Sequence, residues 1–421
     1  MARSQWTVLT YIAAHNNLAM FGQRSLIEIV NVGSTDDVVH CVLFDRHAGA
    51  DRYVVGDAGT VREQQHFEEF DGGDPDALIE TAKWVFGKYP AERYGIVLWS
   101  HGTGWTPAEI AQVATEVRPS ATDPDEPAER AAMPGSLSFF RTTLRVLQRP
   151  ADRKERAILF DDGSGHSLDT LELRRVTSEI SDFVGKPLEF LGMDACLMGN
   201  IEVAYELRNH VRFLVASEEL VPAHSWPYAS IYGSLGSAPA QDGRELAAKV
   251  VDQYVNFYTE DPPGAGDVTK VALDLSKAEQ LAAATRTLSD ALIADMPRHA
   301  DALWQAQHAA RQQETTNGAR TPNKFEFHLW DLGAVASRLA LSTAVSDQVR
   351  SAAAAVRQAL VPGDAVVAEG HHGSWFDGTA GVSIYLMPPG RERLSPFYAQ
   401  VGFAQRTGWI DMLTAYHQQL G

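Results

Sequence analysis

The chain has 421 residues, of which 45% are hydrophobic and 21% charged, with a formal net charge of −18. This is the composition of a globular protein long enough for two ordinary domains or one large α/β domain with additions. The acidity argues against nucleic acid and anionic membrane as partners, and it serves either solubility or the steering of basic peptides.

The first predicted element is a strand over Gln5–Ala14, followed by a helix over Phe21–Val30 and a strand over Val38–Asp45 that holds Cys41. Arg52–Val55 and Thr60–Gln65 flank Gly56-Asp57-Ala58-Gly59 and predict a hairpin. Asp74-Pro75 opens a helix that runs to Lys88, because Pro suits a first turn and Leu78, Ala82, Val85 and Phe86 share one face. A strand over Tyr94–Ser100 comes next. The alternation predicts a mainly parallel sheet covered on both faces.

Residues 106–156 break this rhythm as a linker insertion rich in proline, acidic in its first half and basic in its second. Ala157–Phe160 is expected to resume the sheet, and Ser167 to cap a helix that ends near Phe183. Leu188–Met193 reads as a buried strand, Val211–Ala216 as the next one. Further on, helices are expected over Glu245–Tyr258, Lys277–Ile293, Ala302–Gln312, Asp331–Leu339, Ser346–Leu360 and Trp409–Leu420. Strands are expected over Lys270–Leu275, Ala365–Glu369 and Val382–Met387. No internal repeat is present. The reading divides the chain into a core over 1–260 and an α/β extension over 261–421 packed on it.

No segment approaches the roughly 20 apolar residues that span a bilayer. MARSQWTVLTYIAA at the N-terminus reads as a strand and not as a secretory signal. The two cysteines, Cys41 and Cys196, exclude a disulfide framework, so a cytoplasmic protein is expected.

Two strand ends carry chemistry. Cys196 follows the strand Leu188–Met193 and precedes a helical pattern of Ile201, Val203, Ala204 and Leu207. A thiol at a helix N-terminus is drawn toward thiolate, the nucleophilic form, whereas a buried cysteine is otherwise a small inert hydrophobe. His101 follows Ile96–Trp99 and is itself followed by Gly102-Thr103-Gly104. At the carboxyl edge of one sheet, His101 would act as general base and acid to Cys196, with the N–H groups of Gly102 and Cys196 as oxyanion donors.

Rival chemistries find less support. HExxH, CxxC, Walker A and GxSxG patterns are all missing. His371-His372 with Asp377 reads as a polar loop more readily than as a metal site. Asp161, Asp162, Ser164 and Asp169 have calcium-loop composition without EF-hand spacing.

WSHGTGW around His101 and MDACLMGNIEVAYE around Cys196 resemble the two signature segments of the clostripain family of cysteine endopeptidases. WTVLTYIAAHNNL, with His15 where an Asp is usual, and SEELVPAHSWPY, DVTKVALDLSKAEQL, FHLWDLGAVASRL and GTAGVSIYLMP are similar to other family segments. The resemblance implies a three-layer αβα caspase-like sandwich with a mainly parallel central sheet and a C-terminal α/β extension. It implies cleavage of proteins or peptides after Arg or Lys by a Cys196–His101 dyad without a cofactor, with Ca²⁺ left open because some members respond to it. Asp194 matches the acidic residue that the family places in its P1 pocket, and Glu218 and Glu219 fall in the loop that forms the next wall. A buried cationic side chain needs such a partner, and a planar guanidinium suits it better than an ammonium. The family's habit of cleavage between its His and Cys segments points to Arg141, Arg145, Arg149, Arg153, Lys154 and Arg156, cut by the enzyme itself or by an upstream protease. An inactive binding scaffold and a peptide ligase on the same dyad are the alternatives.

Overall fold

The computed structural model describes residues 3–105, 158–162, 164–260, 262, 266–311, 328–390 and 394–420. The linker insertion and the basic residues expected to be cut there lie outside the described residues.

Chain order begins with β1 (Ser4–Ala13), α1 (Ala19–Val32), β2 (Val38–Arg46), β3 (Gly49–Val55), β4 (Val61–Phe67), α2 (Pro75–Lys88) and β5 (Ala91–Trp99). It continues with α3 (Thr170–Val184), β6 (Leu188–Asp194), α4 (Ile201–Leu207), β7 (Val211–Ala216), α5 (Tyr228–Ser237), α6 (Gly243–Thr259), β8 (Val268–Asp274), α7 (Ala278–Ile293) and α8 (Met296–Arg311). It closes with β9 (Leu329–Asp331), α9 (Leu332–Leu341), α10 (Asp347–Ala359), β10 (Val366–His372), β11 (Ser383–Tyr385), α11 (Gly402–Thr407) and α12 (Trp409–Leu420).

Nine strands form one sheet in the order β10-β8-β7-β6-β5-β1-β2-β3-β4. The five central strands, β7 to β2, pair in parallel, and only β3 and β8 run against the rest. The central strands are nearly continuous runs of buried apolar residues, which is what a sheet covered on both faces requires. One covering layer is the chain of contacts α1–α5–α6, and the other is α2–α3–α4–α7 with the C-terminal helices beyond it. The fold is therefore a three-layer αβα sandwich. Residues beyond 260 add β8 and β10 to the large sheet, and β9 and β11 form a separate antiparallel pair.

Several local expectations need correction. Ile158 makes isolated bridges to Gly102 and Leu168, so this segment does not resume the sheet. Asp169, not Ser167, caps α3: its carboxylate accepts from the Glu172 N–H at 2.7 Å while Glu172 reaches back to the Asp169 N–H at 3.0 Å. Helices α5 and α11 have no counterpart in the sequence reading. Cys41 is buried in β2, and burial pushes its thiol up to about 12, which leaves it inert.

Candidate active site at the carboxyl edge of the sheet

Strands β5 and β6 are parallel neighbours, and their last paired residues are Trp99 and Asp194. His101 lies two residues beyond Trp99, and Cys196 two residues beyond Asp194, so both leave the sheet at the same level of the same edge. Gly102 is pressed against the cysteine turn. A Cβ on it would meet the Cys196 carbonyl oxygen at 2.4 Å, so only glycine fits there. His101 and Cys196 are both fully buried.

The Cys196 turn does not start a helix. Helix α4 begins at Ile201 with Asn200 as its cap, accepting from the Val203 N–H at 3.2 Å. The helix-terminus argument for the thiol therefore fails, because the end effect is confined to the terminal turn and three residues separate the cysteine from the cap. The sulfur instead receives the backbone N–H of Val221 at 3.2 Å. The strip Ser217–Val221 runs beside the turn, its carbonyls at Glu219 and Ser217 accepting from Leu197 N–H at 3.0 Å and Gly199 N–H at 2.7 Å. Leu197 holds φ 64, a left-handed conformation that a branched side chain rarely adopts.

Opposite, His101 Nε2 lies 3.0 Å from Oδ1 of Asn17. Its ring meets Phe160 edge-on, with 6.2 Å between centroids. Burial pushes the imidazole down to about 3, so the ring is neutral at ordinary pH. As the donor to Asn17, Nε2 carries the proton, which makes Nδ1 the basic nitrogen. Asn16 fixes the turn that presents Asn17: its amide donates to the carbonyls of Ala13 at 3.2 Å and Phe160 at 2.8 Å, and its Oδ1 accepts from Leu18 at 2.9 Å. The sequence reading missed Asn17. The pair of Asn residues after a buried strand was the available signal.

Asp194 is buried under the α5–α6 side of the sheet. Its Oδ2 accepts from the Ser225 hydroxyl, from the Trp226 N–H at 3.1 Å and from the Tyr228 hydroxyl at 2.9 Å. Oδ1 has no hydrogen-bond partner among the described residues. Burial raises its pKa, while Lys270 and the three donors oppose that rise. Ser225, at φ 63, also accepts from the Trp99 indole N–H at 2.8 Å, which ties the end of β5 to Asp194. Glu218 lies elsewhere: burial and the neighbouring Asp331 carboxyl raise its pKa well above the usual range, and Asp331 caps α9 by accepting from the Ala334 N–H. Glu219 contributes its carbonyl to the turn, as described.

The calcium-loop residues do not assemble into an oxygen cage. Asp169 caps α3, the Ser164 hydroxyl donates to Asp71 at 2.8 Å, and Asp162 gives its N–H to the His15 carbonyl at 2.8 Å. Asp161 instead gathers with Asp45 and His15, whose ligand atoms lie within 4.8 Å of one another. Two carboxylates and an imidazole fall short of the roughly six to eight oxygens that Ca²⁺ takes, so the set does not fit that ion. Burial and Asp161 push Asp45 up to about 8, so the pair relieves its repulsion by holding a proton. His371 is held between Glu369 at 3.1 Å and Asp377 at 3.3 Å. No helix among the described residues is long and apolar enough to cross a membrane.

A mostly parallel αβα sandwich with a cysteine and a histidine at adjacent strand ends is the arrangement expected of a caspase-like cysteine peptidase. Residues 10–124 and 147–415 match peptidase C11, the clostripain family, and the chain belongs to that family. Solved structures agree on the fold. A secreted C11 cysteine protease from Bacteroides thetaiotaomicron bound to an irreversible peptide inhibitor is 20% identical, with TM-score 0.63 over 96% of this chain and 99% of that one. A second structure of a secreted C11 protease of that organism, called iotapain, is 17% identical, with TM-score 0.66 over 97% of this chain and 100% of the other. An inactive zymogen C11 protease from Parabacteroides distasonis is 17% identical, with TM-score 0.61 over 97% and 99%. No curated protein matches.

The expected cytoplasmic location is corrected by this comparison, since similar structures are of secreted proteases. Two buried cysteines are too few for a disulfide framework, but they do not require a reducing compartment.

Proposed function

We propose that this peptidase is an endopeptidase in which Cys196 is the nucleophile and His101 its general base and acid. The register of β5 on β6 carries the reading, because it brings both residues out at one point of the sheet edge. Neutral His101 takes the thiol proton as sulfur attacks the scissile carbonyl. The Val221 N–H favours the thiolate, and the N–H groups of Gly102 and Cys196 receive the oxyanion. Imidazolium then protonates the leaving amine, leaving a thioester. Water, deprotonated by His101, releases the acid product and restores the thiol.

Asp194 forms the acidic wall of the P1 pocket, which makes Arg or Lys the charge complement. Activation by cleavage after a basic residue in 141–156, by this enzyme or an upstream protease, suits a site whose two reactive residues are fully buried. The action belongs outside the cytoplasm, as for the secreted relatives. In this reading the core over 1–260 holds the catalytic residues, and 261–421 is the extension that completes the sheet. The test is turnover of peptide libraries by wild type, Cys196→Ala and His101→Ala. Each substitution should remove nearly all activity, and the double variant should be no worse than either, because the two groups act as one unit. Substantial turnover by Cys196→Ala overturns the mechanism.

A further inference from the structure

The Asp194 pocket contains a second buried charge. Strand β6 pairs with β7 through Gly192 and Val215, and β7 pairs with β8 through Val215 and Ala272. Continuing both registers by two residues puts Asp194, Ser217 and Lys270 in one row across the sheet, on one face. Strands lie about 4.8 Å apart, so the outer two backbones are about 10 Å apart and their side chains converge over Ser217. Trp226 covers this face, since a Cβ on Gly192 would meet its ring at 2.6 Å. Helix α6 covers the rest, its Val255 lying against Gly370 opposite Lys270.

Lys270 is fully buried. Its ammonium sits 3.9 Å from the Tyr254 ring centroid and 5.0 Å from that of Trp226. It has no hydrogen-bond partner among the described residues, and neither do Asp194 Oδ1 and the Trp226 indole N–H. Three orphaned polar atoms, two of them on ionisable groups, are costly unless a polar group enters among them. Resting on the reading of Asp194 as the P1 wall, we infer that Lys270 is the resident cation of that pocket and competes with a basic P1 side chain for the carboxylate.

The groups facing the Lys270 ammonium are few. Asp194 approaches from β6, Cys196 from the turn beyond it, and the Tyr254 and Trp226 rings from above. From β10 the paired residue is Gly370, while Glu369 and His371 alternate to the other face. Burial pushes the ammonium down to about 7, against the pull of Asp194 and Cys196. Below that pH the pocket holds its own cation, and a guanidinium brings a second positive charge into it. Above it Lys270 is neutral, the carboxylate is uncompensated, and a basic P1 side chain supplies the missing charge. Selectivity for basic over neutral P1 residues therefore rises with pH, which Asp194 alone would not produce.

The experiment compares kcat/KM for matched peptides with Arg or Gln at P1, at pH 6 and pH 8, in wild type and Lys270→Met, with Lys270→Gln as a second variant should the first fail to fold. The Arg-to-Gln ratio of wild type should rise about tenfold between the two pH values. Lys270→Met should start at least about tenfold above wild type at pH 6 and stay flat. A ratio identical in both proteins at both pH values overturns the inference. Carbon-13 NMR of lysine side chains in the wild-type chain gives a readout independent of turnover. One lysine should titrate near neutral pH and vanish in the variant, and titration of every lysine above pH 9 also overturns it. If neither peptide is turned over by wild type while the NMR titration appears, the peptidase reading fails and the resident cation stands.

Discussion

Asn17 shows how a single exposed side chain governs a buried one. Its Oδ1 is the partner of His101 Nε2, and as an acceptor it fixes the proton on that ring nitrogen. Asn17→Ala should lower kcat by on the order of tenfold while leaving KM nearly unchanged, since a positioning residue acts through the base and not on the substrate. Asn17→Asp should restore orientation and raise the His101 pKa, so the acidic limb of the pH–kcat profile should move to higher pH. An unaltered profile in Asn17→Asp assigns Asn17 no part in tuning the base. The positions of Cys196 and His101 at one sheet edge were legible in the sequence because each follows a buried apolar strand, which is a local pattern. Lys270 was not, because its partner Asp194 is far away in sequence and meets it only through the register of two intervening strand pairs. Asp194 was legible as an acid near Cys196, but its three donors come from Ser225, Trp226 and Tyr228.

At the scale of elements, local rules succeed where a helix end is written in consecutive residues. Asp74-Pro75 and Ser346 start α2 and α10 as expected, each side chain accepting from the first turn. Asp169-x-x-Glu172 is the same kind of signal and outcompetes Ser167, because only Asp169 has an acidic residue at the third helical position to return a hydrogen bond. Asp169→Ala should therefore destabilise the protein by about 1 kcal/mol, read as a lower urea midpoint at unchanged slope. A loss near zero would mean that α3 is held by packing alone. Helix α5 carries two glycines and three serines, a composition that reads as loop. It forms because Ile231, Tyr232 and Leu235 are buried and the helix packs on α1. Helix α4 is buried on every side, including Glu202 and Glu206, so its apolar stripe understated its burial. Glu202 accepts from the Tyr385 N–H at 3.0 Å and the Tyr398 hydroxyl at 2.8 Å, which docks the C-terminal segments onto the back of the cysteine turn.

The whole molecule is organised by one sheet whose central strands come from both sides of the linker. Strands β1, β2 and β5 precede it, β6 and β7 follow it, and β5 pairs directly with β6. A cut between residues 141 and 156 would therefore sever the backbone without separating the pieces. The cleaved protein should elute as one species in size-exclusion chromatography, divide only in denaturant, and keep its heat-capacity transition as a single peak. Separation under native conditions would contradict this account of how the sheet is built. If cleavage is the switch, a variant with Arg141, Arg145, Arg149, Arg153, Lys154 and Arg156 changed to Gln should remain one chain and stay weakly active. Equal activity of that variant and wild type removes linker cleavage from the mechanism.

The central claim is that Cys196 is the nucleophile and His101 activates it. The most direct measurement is covalent labelling by peptide electrophiles, with the modified residue mapped by mass spectrometry in wild type, His101→Ala and Cys196→Ala. The account predicts one label on wild type, located at Cys196, a rate at least about a hundredfold lower in His101→Ala, and no label in Cys196→Ala. Labelling at Cys41, or an unchanged rate in His101→Ala, would contradict it.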